Sequence, residues 1–226
     1  MENSDHKRTI KSYVLRQGHL SDSQAGAIAQ LMPKWGIPFS EEIIDLNTLF
    51  GRATPKILEI GFGMGVATAQ IAQTLPEKDF IAIEVHSPGV GNLLKLIEEH
   101  QISNLKVIQH DAVEVLEKMI ADQSLDGIHI YFPDPWPKKR HHKRRLIQLP
   151  FIEQLAPKLK AGGYLHLATD WEEYAEQMLA VLNEHPELEN TVEGFAPKPS
   201  YRPETKFEAR GLRLGHGIWD IVFSRK

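Results

Sequence analysis

Strands and helices alternate from Lys56 to the C-terminus, and that alternation predicts an α/β fold on a parallel sheet. Two further observations sharpen it. The run KILEIG, FGMG, VATAQIAQTL reads strand, turn, helix, and Gly61, Gly63 and Gly65 stand where a backbone approaches a nucleotide at a helix N-terminus. Five acids, Glu59, Glu84, Asp111, Asp134 and Asp170, fall at or beside the ends of successive strands, the edge where open α/β sheets bind ligands.

The elements follow in order. Residues 1–12 are polar and read as a loose arm, whose Lys7, Arg8 and Lys11, with Arg16, either touch RNA or are ordinary terminal charges. A lid or leading segment comes next, with helices expected at Ser21 to Leu31 and near Ser40 to Phe50, so that residues 1–50 precede a main domain of 51–226. After the first strand and its glycine turn, FIAIEV (80–85) is a second strand ending at Glu84, 23 positions past Gly61, the offset at which a carboxylate accepts ribose hydroxyls. The spacing G-x-G-x-G lacks the longer gap of dinucleotide enzymes. A helix from Pro88 to His100 leads to LKVIQHD (105–111). Asp111 with Ala112 can read an adenine amino group, and Asp111 can cap the helix from Ala112 to Ala121; the two roles are compatible. Later come an interrupted helix from Arg144 to Leu159, a strand over 161–170, a helix over 171–185, a weaker strand near Thr191 to Phe195 and a last strand, HGIWDIVFSR.

Composition limits the chemistry. The chain has 226 residues, 30 acidic and 26 basic side chains and a net charge of −4, so nucleic-acid binding needs a local basic patch. There are no cysteines, which excludes disulfides, thiolate zinc sites and cysteine nucleophiles. With no apolar leader and no long apolar run, a soluble cytoplasmic protein is expected, with no metal, no membrane and no obligate protein partner, as monomer or homodimer.

The stretch from Leu125 to Arg145, LDGIHIYFPDPWPKKRHHKRR, organises the rest. Its strand must stop at Pro133, because proline cannot donate to a ladder. The prolines on either side of Asp134 are expected to hold Phe132 and Asp134 extended, in a rigid turn. Lys138, Lys139, Arg140, Lys143, Arg144 and Arg145, with His141 and His142, then place six cations and two histidines in eight residues. They are either a solvated helix start or a phosphate-binding block. An acid, an aromatic and a basic block side by side suit the holding of a nucleic-acid base. Trp136 either stacks on that base or packs over the proline turns.

Taken together, LEIGFGMG, the strand-end acids, PDPWPKKRHHKRR, the TD of LATD and the TKFE of RPETKFE resemble the bacterial tRNA (guanine-N7)-methyltransferase family over nearly the whole chain. The resemblance implies a Rossmann-like class I methyltransferase sheet of seven strands, mostly parallel with the last antiparallel, that binds S-adenosylmethionine and releases S-adenosylhomocysteine. It implies cofactor contacts at Glu59, Gly61, Gly63, Glu84, Asp111, Ala112 and Asp134, with Asp134 also the proposed catalytic residue. Lys138, Asp170 and the run Thr205, Lys206, Phe207, Glu208 match substrate-contacting positions, and Arg140, His141, His142, Lys143, Arg144 and Arg145 match the segment assigned to RNA. The implied target is guanine 46 in the variable loop of tRNA. Three rival readings share parts of this pattern. A dehydrogenase would need neither the Asp-Pro-Trp turn nor the basic block, a noncatalytic RNA-binding subunit could lose the strand-end acids, and a base-amino methyltransferase would also carry an acid or amide in a proline-rich turn.

Overall fold

The computed structural model describes residues 19–204, 208, 215 and 217–226. Its helices are α1 (Asp22–Trp35), α2 (Leu46–Phe50), α3 (Val66–Thr74), α4 (Ser87–Glu99), α5 (Ala112–Lys118), α6 (Leu149–Leu155) and α7 (Glu172–Glu184). Its strands are β1 (Lys56–Ile60), β2 (Asp79–Ile83), β3 (Leu105–Ile108), β4 (Leu125–Tyr131), β5 (Leu159–Thr169), β6 (Leu188–Asn190) and β7 (Trp219–Arg225). They form one sheet in the order β3-β2-β1-β4-β5-β7-β6. β7 runs antiparallel to both neighbours, and the other strands share one direction. The class I methyltransferase sheet expected from the sequence is therefore present. Strand order reverses between β1 and β4, which opens a crevice at their carboxyl ends.

Alternation along each strand makes two cores. Leu58, Ile60, Ile81, Ile83, Ile128 and Ile130 pack on the face covered by α5, α6 and α7. Ile57, Phe80, Ala82 and Val107 pack on the face covered by α1, α3 and α4. Helix starts follow local chemistry: Ser21 and Gln24 form a capping box on α1, Asp111 caps α5 through Val113 N–H at 3.0 Å, and Pro88 sits in the first turn of α4. The described residues ahead of β1 are packed onto the sheet. Gln24 Nε2 donates to the Pro88 carbonyl at 3.1 Å, and Ile37 N–H donates to Val107 O at 2.8 Å along the β3 edge.

Several expected elements are shorter or displaced. The helix expected from Ser40 begins only at Leu46, because Asp45 accepts from Asn47 N–H and Thr48 N–H and so fixes the start. The basic block forms a 3-10 helix over Lys139–Arg144, and α6 is confined to Leu149–Leu155 with Pro150 in its first turn. The strand expected near Thr191 to Phe195 lies instead at Leu188–Asn190. Asn190 donates its amide to Gly194 O at 2.9 Å, and Gly194 has φ +78°, so that stretch is a turn.

On the face that carries Tyr131, His166 and Asp220, strands β4, β5 and β7 hold a buried polar network. His166 Nε2 donates to Asp220 at 2.8 Å, and its Nδ1 accepts from Tyr201 at 2.8 Å, with Tyr131 Oη 3.0 Å away. Arg202 bonds both Asp220 oxygens, at 2.6 and 2.8 Å, and both Glu208 oxygens, at 2.7 and 3.1 Å. Burial lowers the affinity of His166 for a proton despite Asp220, so the ring is neutral and its tautomer is fixed by these partners. Burial also pushes Asp220 upward, but His166 and Arg202 outweigh it and hold the acid below its usual value. With the folded value below the unfolded one, this contribution to stability is complete above about pH 4 and is lost as pH falls through the lowered value. Asp220→Asn should therefore cost about 3–5 kcal/mol in urea unfolding at pH 7, by stranding part of a buried guanidinium. The gap to the parent should narrow below pH 4. A cost under about 1 kcal/mol would show that the network contributes little.

Candidate active site

The crevice between β1 and β4 holds a cleft of about 220 Å³, and Gly61, Glu84, Asp111, Ala112 and Asp134 line it. Five of the residues singled out from sequence are thus brought together at one sheet edge. The glycine turn is built for that place. Gly61 and Gly63 have φ of +76° and +56°, and a side chain at either would point into open space, so glycine is required there by backbone conformation and leaves room for a ligand. Glu84 then ties the turn to β2: it accepts from Gly63 N–H at 2.9 Å, Val85 N–H at 2.8 Å and His86 N–H at 3.1 Å. Oε1 takes two of these bonds and Oε2 one, so Oε2 keeps acceptor capacity for a hydroxyl.

Sequence reasoning missed two features of this site. A side-chain carbon at Gly89 of α4 would lie 2.0 Å from the Gly63 carbonyl, so the turn rests directly on helix backbone. His110 lines the cleft and stacks on Phe39 with centroids 3.7 Å apart, which brings the leading segment to the cleft wall. Neither was legible, because Gly89 lies in an ordinary helical run and Phe39 reaches its partner only through the folded chain.

Glu59 is placed differently from the other acids. It is buried behind the turn, where one oxygen accepts from Thr68 Oγ1 at 3.0 Å and Oε2 has no partner. An orphaned acceptor beside the glycine turn, with Glu84 and Asp111 on the rim, suits a ligand that carries both positive charge and hydroxyl groups, as S-adenosylmethionine does.

Asp134 is exposed at the cleft mouth, in a turn that departs from expectation. Phe132 was expected to be extended before Pro133, yet its φ is +49°, and Trp136 before Pro137 has φ +44°. Phe132 N–H donates to Ala168 O at 2.7 Å, a contact with β5 that overrides the local preference. Two non-glycine residues in this region cost on the order of 1–3 kcal/mol each and persist only when their surroundings impose them. Arg202 lies 5.7 Å from the Phe132 ring, and Arg144 lies 5.0 Å from the Trp136 ring. His141 meets Trp136 edge-on at 6.0 Å. Trp136 thus packs within the block.

The cations divide by orientation. Lys138, Lys139, Arg140 and Lys143 are exposed and Arg144 is half-exposed. His141 is held below its usual value by partial desolvation and then by Arg140, Arg144, Lys138 and Lys143. Arg145 turns inward and is 3% exposed, bonded to Pro135 O, Gln177 and His142. His142 is half-buried, 3.6 Å from Glu173. Asp170 sits half-buried just past β5, and Glu208 is buried against Arg202 and Lys198. Thr205, Lys206 and Phe207 lie outside the described residues.

Burial pushes Glu59 up from 4.5 to about 7, against the Thr68 hydrogen bond and with help from the Glu84 charge. A folded value above the unfolded one means that stability falls as pH rises between them, by on the order of 3 kcal/mol in all. Glu59→Gln mimics the neutral acid. Without ligand, it should unfold at a higher temperature than the parent at pH 8, with the advantage reduced to a small fraction near pH 5. Melting curves at the two pH values test this, and a difference independent of pH would contradict it.

Comparison with known proteins gives the site its setting. A family model described as "Putative methyltransferase" matches residues 53–221. The tRNA (guanine-N(7)-)-methyltransferase of Chromobacterium violaceum is 64% identical over 226 residues, covering 100% of each chain. That of Methylobacillus flagellatus is 63% identical over 221 residues, 97% of this chain and 93% of the relative. Among solved structures, the 16S rRNA methyltransferase KamB superposes with a TM-score of 0.58 at 12% identity, over 82% of this chain and 95% of that one. The 30S ribosomal A1408 methyltransferase from an uncultured bacterium gives 0.56 at 15% identity, over 80% and 93%. At such identities the likeness concerns the fold alone. With its cleft at the β1–β4 reversal and this similarity along its whole length, the chain belongs to the S-adenosylmethionine-dependent tRNA (guanine-N7-)-methyltransferase family.

Proposed function

We propose that the chain methylates N7 of guanine 46 in the variable loop of tRNA, giving 7-methylguanosine, and that it does so in the cytoplasm as a monomer or homodimer without an obligate protein partner. Among the described residues no helix is long and apolar enough to cross a membrane. The observation that carries the reading is the junction of three features: the carboxylate-rimmed cleft, the exposed Asp134 at its mouth, and the exposed cations that follow directly in sequence. Relatives named tRNA (guanine-N(7)-)-methyltransferase, similar over nearly the full length, support methylation of tRNA guanine at N7.

The chemistry asks little of the side chains beyond placement. S-adenosylmethionine supplies an electrophilic methyl group on a sulfonium. Guanine N7 offers a lone pair and carries no proton, so no general base is needed. As the N7–carbon bond forms and the carbon–sulfur bond breaks, positive charge arrives on the purine. A fixed carboxylate at Asp134 favours that charge, while Glu59, Glu84 and Asp111 hold the cofactor and the turns of Gly61 and Gly63 leave room for it. Lys138, Arg140, Lys143 and Arg144 meet tRNA phosphates, with His141 and His142 between them. Asp170, Thr205, Lys206, Phe207 and Glu208 contact the substrate, as the family resemblance implies; Glu208 is bonded to Arg202, whose guanidinium lies over Phe132.

Incubation with unfractionated tRNA and labelled S-adenosylmethionine, followed by nucleoside mass spectrometry, tests the reading. Label should appear in 7-methylguanosine, and transfer should fail on a tRNA with adenine at position 46. Label on an exocyclic amino group would overturn it. Asp134→Asn should slow single-turnover transfer roughly 100-fold with tRNA affinity nearly kept; a full rate with weakened affinity would make Asp134 a binding residue only. Replacing Arg140, Lys143 and Arg144 with Ala should weaken tRNA binding and flatten the slope of log affinity against log salt by ~0.7 to 0.9 per lost contact, leaving S-adenosylhomocysteine binding intact. An unchanged slope would send the RNA path elsewhere.

A further inference from the structure

Five of the six cations in the block at 138–145 have exposed or half-exposed side chains; Arg145 does not. Its Nε donates to the Pro135 carbonyl at 2.8 Å, one terminal nitrogen donates to Gln177 Oε1, and the other meets His142 Nε2 at 3.1 Å. The guanidinium lies 4.8 Å from the Tyr174 ring, and Glu173 stands 3.7 Å away. Its own backbone is held as well, since Arg145 N–H donates to His142 O and Gln148 donates to Arg145 O at 2.8 Å. Each nitrogen of this fork has a partner within the protein and the side chain is buried, so a phosphate could engage it only by displacing those partners.

What the fork holds is the turn itself. Pro135 directly follows Asp134, and the turn is bounded by Phe132 and Trp136, both with positive φ. Such a backbone needs a tether from outside, and Arg145 links it through Gln177 and Tyr174 to α7, an element of the rigid core.

We propose that Arg145 is a positioning residue: its buried guanidinium clamps the Pro135 carbonyl against α7 and so fixes where Asp134 meets the reacting base. The basic block then serves two purposes, with its outer cations facing RNA and its last arginine facing inward. This rests on the reading of Asp134 as the carboxylate at the reacting base, and the test separates the two.

Arg145→Lys keeps the charge and loses the fork. Single-turnover rate per folded molecule, tRNA affinity across a salt series and S-adenosylhomocysteine affinity are measured for Arg145→Lys, Gln177→Ala, Arg144→Ala and Asp134→Asn. Arg145→Lys should transfer roughly 10- to 100-fold more slowly at saturating tRNA, with the parent's salt slope and cofactor affinity, because small misplacements of a reacting group cost that much. Gln177→Ala, which keeps the arginine and removes one of its anchors, should slow in the same sense and serves alone if Arg145→Lys does not fold. Arg144→Ala should flatten the salt slope. A slope flattened by Arg145→Lys with the rate kept would make Arg145 a phosphate contact. A lowered melting temperature with an unchanged rate per folded molecule would make it merely structural. Either result overturns the proposal. If Asp134→Asn itself keeps the full rate, the reading of the site fails, whereas a slow Asp134→Asn beside fast Arg145→Lys and Gln177→Ala removes only the clamp.

Discussion

Positive φ values at Phe132 and Trp136, each immediately before a proline, bound the turn on which the rest of the site depends. Proline ends β4 because it has no N–H for the ladder, and it also disfavours much of the conformational space of the residue before it. Holding two such residues in an uncommon region requires surroundings that leave no alternative. β5 supplies one contact through Ala168 O, the loop at Arg202 covers the Phe132 ring, and Arg145 takes the Pro135 carbonyl. The buried network of His166, Asp220, Arg202 and Glu208 thereby acquires a purpose, since it fixes the arginine that covers Phe132.

The cofactor side follows the opposite logic. There the backbone is eased by glycine, and the cost falls on a buried acid. Glu59 has one hydrogen-bond partner for two oxygens and a proton affinity shifted to about 7, so the ligand-free protein carries an unmet acceptor behind its cleft. A binding site that leaves a group unmet is less stable empty than it would be when filled. Glu84 shows the contrast: three backbone N–H groups already satisfy it, so it shapes the glycine turn before any ligand arrives.

Much of this architecture was legible in the residues. Strand and helix periods placed β1 to β5 and their strand-end acids, and the glycine spacing placed the turn, because these signals are local and repeat along the chain. Each misreading has a physical cause. Phe132 reads as extended from Pro133 alone, but a hydrogen bond to β5 decides it. Arg145 reads as one more cation in a basic run, but the carbonyl it bonds lies ten residues back and the glutamine 32 residues ahead. Thr191 to Phe195 has strand-like residues, yet an asparagine closing onto a glycine carbonyl makes it a turn. Contacts with β5 and α7 settled the first two, whereas the third was decided by a side-chain bond only four residues long that strand-like composition does not reveal.

A site organised this way should be formed before its ligands bind. The most direct measurement is a crystal structure of the protein with S-adenosylhomocysteine, compared with one of the ligand-free protein. The account predicts the nucleoside in the cleft between Glu84 and Asp111, with Phe132 and Trp136 at positive φ and the Arg145–Pro135 bond kept in both structures. A ligand seated elsewhere, or a turn that adopts these φ values only when the ligand is bound, would contradict it.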